Sequence, residues 1–188
     1  DLVVAGDDIS AAIDAVSEGK AVAIRDGLRM PELPVDIVVE VSGVPEIAAQ
    51  VAYTCITRSK DVALMTVEAD ITVGVLLSSM ANAGNSVYTI MRGDEPVECL
   101  KLVEYAEDLG LTVICAGKGK NNVNIIHSVP ADNEEEAARK KMSPRMLTEF
   151  TDGTKTQLEM AALSNATNLP VEVDGMHGQE IMLKDLAT

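Results

Sequence analysis

Apolar positions recur at helical spacing over residues 7–16, where Ile9, Ala12, Ile13 and Val16 share one face and Asp7 or Asp8 stands as the cap. Residues 21–25 read as a short strand. Residues 35–42, VDIVVEVS, form a nearly continuous β-branched run, as expected of a strand buried on both faces, and Gly43 ends it. Val44, Ile47, Ala48, Val51, Ala52, Cys55 and Ile56 then complete a helical stripe. Residues 61–66 predict a strand, 68–83 a helix stopped at Gly84, 87–91 a strand, 95–109 a helix stopped at Gly110, and 111–116 a strand. A loop rich in glycine and asparagine follows, GKGKNNVN. Its neighbour is a short helix opened by the acidic run 133–136 and closed by Arg139, Lys140 and Lys141, an order that suits the helix dipole and reads as a solvated helix. Residues 156–166 predict the last helix, with Leu158, Ala161, Ala162 and Ala166 on one face. Beyond Pro170 the pattern is irregular.

Strands alternate with helices through residue 116. This predicts an α/β fold, a partial Rossmann-like parallel sheet with right-handed crossovers continuing into an α/β catalytic domain. Ligands of open parallel sheets bind beyond the carboxyl ends of the strands. The segments to inspect are therefore 42–43, 66–70, 93–96 and 117–122.

Composition narrows the picture. Of 188 residues 47% are apolar, Phe occurs once and Trp never, so the core is aliphatic. No run of 18 apolar residues and no secretory signal is present. Cys55, Cys99 and Cys115 lack metal-ligand spacing and sit in apolar segments, which predicts buried, reduced thiols and a cytoplasmic location. A net charge of −15 argues against nucleic acid or an anionic membrane as partner, so an anionic ligand must be held by local lysines. The chain opens on Asp1 rather than Met and is read as a fragment.

Four constellations offer chemistry. The strand–turn–helix junctions DIVVEVSGVPE (36–46) and KDVALMTVEAD (60–70) present helix N-termini, which every crossover fold also has. Neither G-x-G-x-x-G nor G-x-x-x-x-G-K-[ST] occurs. In AGKGKNN (116–122) two lysines flank a glycine after an apolar segment, either as a phosphate cradle or as a solvated turn. In TDGTKT (151–156), Thr154 with Gln157 and Thr156 with Glu159 form overlapping capping boxes, which puts Lys155 at the positive end of a helix, at a cost of about 0.3–1 kcal/mol. Asp152 precedes Lys155 by three residues, as a structural ion pair or as an acid/base pair. In GMHG (175–178), His177 reads first as a loop residue, and His127 has no ligand-spaced neighbour. Asp94 and Glu95 suit either a hard cation or the helix dipole.

VDIVVEVSGVPE, TVEADITVG, GDEP, AGKGKNN, SPRMLTEFTDGTKTQLEMAALSNAT and GMHG occur in this order. With them the chain resembles the homoserine dehydrogenase-like oxidoreductases that carry a SAF domain, in the branch of deoxyxylulose-phosphate reductoisomerase-like proteins. The resemblance covers about residues 7–180. It implies that residues 1–66 are the second part of a Rossmann-like NAD(P)-binding domain and 67–188 a catalytic domain, with no SAF domain in the chain. It implies that Ser42, Gly43, Thr66, Val67 and Glu68 line the nicotinamide, that Lys118 and Lys120 face the substrate, and that Asp152 and Lys155 transfer protons or hold it. His177 carries less weight. A divalent metal, Mg²⁺ or Mn²⁺, is implied with Asp94, Glu95 or Asp152 as ligands. Val97 after GDEP departs from the small residues usual there. The expectation is an NAD(P)-dependent oxidoreductase, a homo-oligomer, acting on a small hydroxy or keto substrate with or without a phosphate, and inactive as this fragment alone. The alternative is a non-catalytic ligand-binding or regulatory module of the same fold.

Overall fold

A computed structural model describes residues 2–121, 124–176, 178 and 180–185. It is a mixed α/β chain whose strands pair in parallel in two small sheets. Two compact units, Asp1–Val97 and Glu98–Thr188, divide it.

In the first unit, β1 (Leu2–Gly6) pairs with β2 (Ala21–Ile24) around α1 (Ile9–Ser17). Asp8 caps α1, its Oδ1 accepting the Ala11 N–H at 3.1 Å. The second sheet has the order β3 (Ile37–Glu40), β4 (Asp61–Leu64), β5 (Tyr88–Ile90), with α2 (Pro45–Thr57) and α3 (Val67–Gly84) as crossovers. Its core joins Val38, Val62 and Leu64 of the sheet to Ala48, Val51, Ala52, Cys55 and Ile56 of α2 and Ala69, Leu77 and Ala81 of α3. Small residues on both helices let them pack closely. On α3, a Cβ at Gly74 would stand 2.3 Å from Asp70 Oδ1, the atom that accepts the Tyr88 O–H at 2.8 Å, so the glycine makes room for a bond that ties the helix to β5.

One expectation of this unit is corrected. β3 is not buried on both faces: Val38 and Glu40 are buried, while Ile37, Val39 and Val41 are exposed. β3 lies at the edge of its sheet and α2 packs on one side of it, whereas the central β4 buries Val62, Ala63 and Leu64 in succession. A β-branched run marks strand propensity, and burial depends on what covers the strand.

α4 (Glu95–Asp108) runs across the boundary, and the second unit continues with α5 (Glu134–Lys140), α6 (Pro144–Thr151) and α7 (Thr154–Thr167). Val103, Ala137, Leu147, Met160 and Leu163 are its buried apolar residues. The strand expected at 111–116 does not form; no described strand offers it a ladder, and Leu111 and Ile114 stand exposed. Cys115 is exposed with it and Cys99 is half-buried, so of the three thiols only Cys55 is buried as expected. Burial pushes the Cys55 thiol up to about 11. α6 was not foreseen, although Ser143 followed by Pro144 is a helix-start signal.

Candidate functional site

The second unit gathers its charges at the start of α7. Gly153 is the N-cap, in the left-handed region at φ +89°, and contributes no side-chain cap. A Cβ there would meet Asn124 Oδ1 at 2.9 Å, so glycine is required both by the backbone and by its neighbour. The capping boxes do not form, because Thr154 is the first residue of the helix and Thr156 lies inside it. Asp152 takes over the capping role: its Oδ1 accepts the Thr154 N–H at 2.8 Å. Asp152 and Lys155 form no ion pair with each other.

Lys155 reaches along the helix to Glu159, one turn on, with Nζ 3.8 Å from Oε1. Lys118, from the loop after α4, forms an ion pair with the other carboxylate oxygen, Oε2. Glu159 is 0% exposed, and the two lysine side chains are 16% and 18% exposed. The positive pole of the helix thus holds a lysine because a buried acid on the same helix offsets it. The reading of Glu159 as a capping-box partner missed this; the four-residue step from Lys155 to Glu159 was the available signal.

The loop is fastened at two further points. Lys120 Nζ donates to the Phe150 carbonyl at 2.5 Å, and the Ile125 N–H donates to the Thr151 carbonyl at 2.8 Å. Both carbonyls belong to the last turn of α6, the negative end of its dipole. Burial holds the Lys120 ammonium below the usual lysine range; the charge of Asp152 opposes this and that of Lys118 adds to it. Lys118, Lys120, Asp152, Lys155 and Glu159 therefore form one electrostatic neighbourhood. Its ammonium groups are of the type that stabilises an anion or a developing oxyanion.

The other candidates lie at the carboxyl edge of the β3–β4–β5 sheet, in the first unit. Gly43 has φ +68°, and its N–H donates to Thr66 Oγ1 at 3.1 Å, which fixes the turn after β3 beside the turn after β4. Ser42 donates its N–H to Glu40 Oε1 at 2.7 Å, and its hydroxyl accepts the Val44 N–H at 3.1 Å. Thr66 and Val67 are buried, Glu68 is partly exposed, and Ser42 and Gly43 are exposed. Asp94 is buried and Glu95, the first residue of α4, is exposed. His177 and Asn122 lie outside the described residues.

Residues 93–188 match the family model described as "Oxidoreductase DRL, catalytic domain". The matched span contains the loop of Lys118 and Lys120 together with α6 and α7. None of the curated proteins matches the chain.

Proposed function

The chain belongs to the family of the oxidoreductase DRL catalytic domain, and from that membership we propose that it is an NAD(P)-dependent oxidoreductase of the homoserine dehydrogenase-like superfamily. Its substrate in this reading is a small hydroxy or keto compound that carries a phosphate. The observation that supports it is the cluster of Lys118, Lys120, Asp152 and Lys155 around Glu159 within the matched span. Reduction of a carbonyl turns its oxygen into an alkoxide, and ammonium groups in a partly dry site stabilise that charge. Lys120, whose ammonium is held below the usual range, gives up a proton more readily than an ordinary lysine and suits protonation of the alkoxide.

Ser42, Gly43 and Thr66 fit the ring end of the cofactor. Gly43 has no side chain to stand between the turn and a flat ring, and its bond to Thr66 holds both turns in place. They do not fit the pyrophosphate, for which the sequence has no glycine fingerprint. Bound NAD(P)H supplies the hydride. The narrower version, isomerisation followed by reduction, adds Mg²⁺ or Mn²⁺ with Asp94, Glu95 or Asp152 as a candidate ligand. Their carboxylates are hard oxygen donors of the type these ions take. A homo-oligomer is supported by the exposed apolar residues Leu102, Tyr105 and Leu109 on and just beyond α4.

The test is NADPH oxidation by the full-length protein with deoxyxylulose phosphate and Mg²⁺ or Mn²⁺. Turnover is expected, with Lys155→Ala and Lys120→Ala each lowering kcat by about 10²–10⁴-fold while circular dichroism stays native. Ligand binding without turnover would favour the rival reading, a non-catalytic module.

A further inference from the structure

Glu40, the last residue of β3, has no part in the chemistry above, yet it is only 4% exposed. Its Oε1 accepts the Ser42 N–H at 2.7 Å, a length typical of a bond to a charged acceptor. Its Oε2 is buried without a hydrogen-bond partner, and Glu40 enters no ion pair, among the described residues. A buried carboxylate is ordinarily paired or hydrogen-bonded at both oxygens. The main chain of Glu40 also joins the two turns of the sheet edge: its carbonyl accepts the Met65 N–H at 2.9 Å, next to the bond from Gly43 to Thr66. These turns lead into α2 at Pro45 and α3 at Val67, and the positive ends of two helices make a negative charge tolerable there.

We propose that the Glu40 carboxylate makes the cofactor site charge-selective: it favours the oxidised nicotinamide ring, which carries a positive charge, over the neutral reduced ring. The proposal rests on the reading that places the ring at Ser42, Gly43 and Thr66. Glu40 is bonded to the first of these, and a charge held out of water acts more strongly on its neighbours than a solvated one. Hydride transfer moves one hydrogen with two electrons from the reduced ring to the carbonyl carbon. The ring is oxidised and left with one positive charge, and the carbonyl is reduced to an alkoxide. A fixed negative charge behind the turn stabilises the charge that develops on the ring, and so favours reduction of the substrate.

The bland role for Glu40 is to anchor the turn through the Ser42 N–H, and one substitution separates anchor from charge. Glu40→Gln keeps a side-chain oxygen for that N–H and removes the negative charge. An anchor alone predicts that oxidised and reduced cofactor change affinity by the same factor. A charge effect predicts that the ratio of their dissociation constants, oxidised over reduced, rises. Calorimetric titration of the full-length protein with NAD⁺, NADH, NADP⁺ and NADPH is expected to show binding of at least one pair. For that pair the ratio should rise at least fivefold in Glu40→Gln, with native circular dichroism. A ratio within twofold of the wild type overturns the proposal and leaves the oxidoreductase reading standing. A wild type that binds none of the four overturns both. Should Glu40→Gln fail to fold, Glu40→Asp keeps the charge and draws it back from the turn by one methylene. A ratio raised twofold or more then supports the charge effect, and a smaller change overturns it.

Discussion

Gly153 shows how much rests on one residue. It holds a left-handed backbone, is the N-cap of α7, and lies against the Asn124 side chain of the lysine loop. A left-handed conformation costs an L-residue about 1–2 kcal/mol, and the contact with Asn124 adds to that. Gly153→Ala is therefore expected to lower the unfolding free energy by about 1–3 kcal/mol in urea denaturation; a loss below ~0.5 kcal/mol would mean that the turn relaxes freely. Asp152–Gly153 was legible as a turn from the sequence. What could not be read was which group satisfies the first helical N–H, because Thr154, Thr156 and Asp152 all carry suitable oxygens and only the backbone path selects Asp152.

At the scale of elements, periodicity recovered α1 to α5 and α7 to within a few residues, as well as β2 to β5. Each of these has a local cause: a stripe, a cap or a glycine stop. The failures have a non-local cause. Residues 111–116 are as apolar as β4, but a strand exists only through its neighbour, and sequence periodicity carries no record of one. The exposure of Ile37, Val39 and Val41 has the same origin, since local pattern does not say which face a helix will cover. β4 supplies the contrast and a prediction. Leu64 is fully buried in the core that β4 shares with α2 and α3, so Leu64→Ala should cost about 2–5 kcal/mol by thermal or chemical denaturation. Val39→Ala, at an exposed position, should stay within about 1 kcal/mol.

For the whole molecule, the balance of charge sets how a ligand arrives. A chain of −15 repels an anion at long range, while three lysines attract it at short range. Screening length falls from roughly 30 Å at about 0.01 M salt to roughly 8 Å at about 0.15 M. The distant repulsion weakens over that range more than the contact attraction does. The association rate of a phosphorylated ligand, followed by stopped flow, should therefore rise severalfold with salt; a steady fall would mean that the lysines govern the approach from a distance. Among the described residues no helix is long and apolar enough to cross a membrane. The candidate cluster was partly legible at this scale: glycine-flanked lysines and a turn point to Lys118, Lys120, Asp152 and Lys155, which the structure brings into one neighbourhood. The buried Glu159 that pairs with Lys118 and Lys155 was not legible, because an acid inside a helix reads as solvated unless its burial is known.

That buried acid also constrains how the chain can change over time. Loss of a carboxylate shared by two ammonium groups takes an ion-pair partner from both, and loss of both lysines takes two from the buried acid. Positions 118, 155 and 159 should therefore drift as a unit among family members. A relative with a neutral residue at the third position should have given up a lysine at one of the other two.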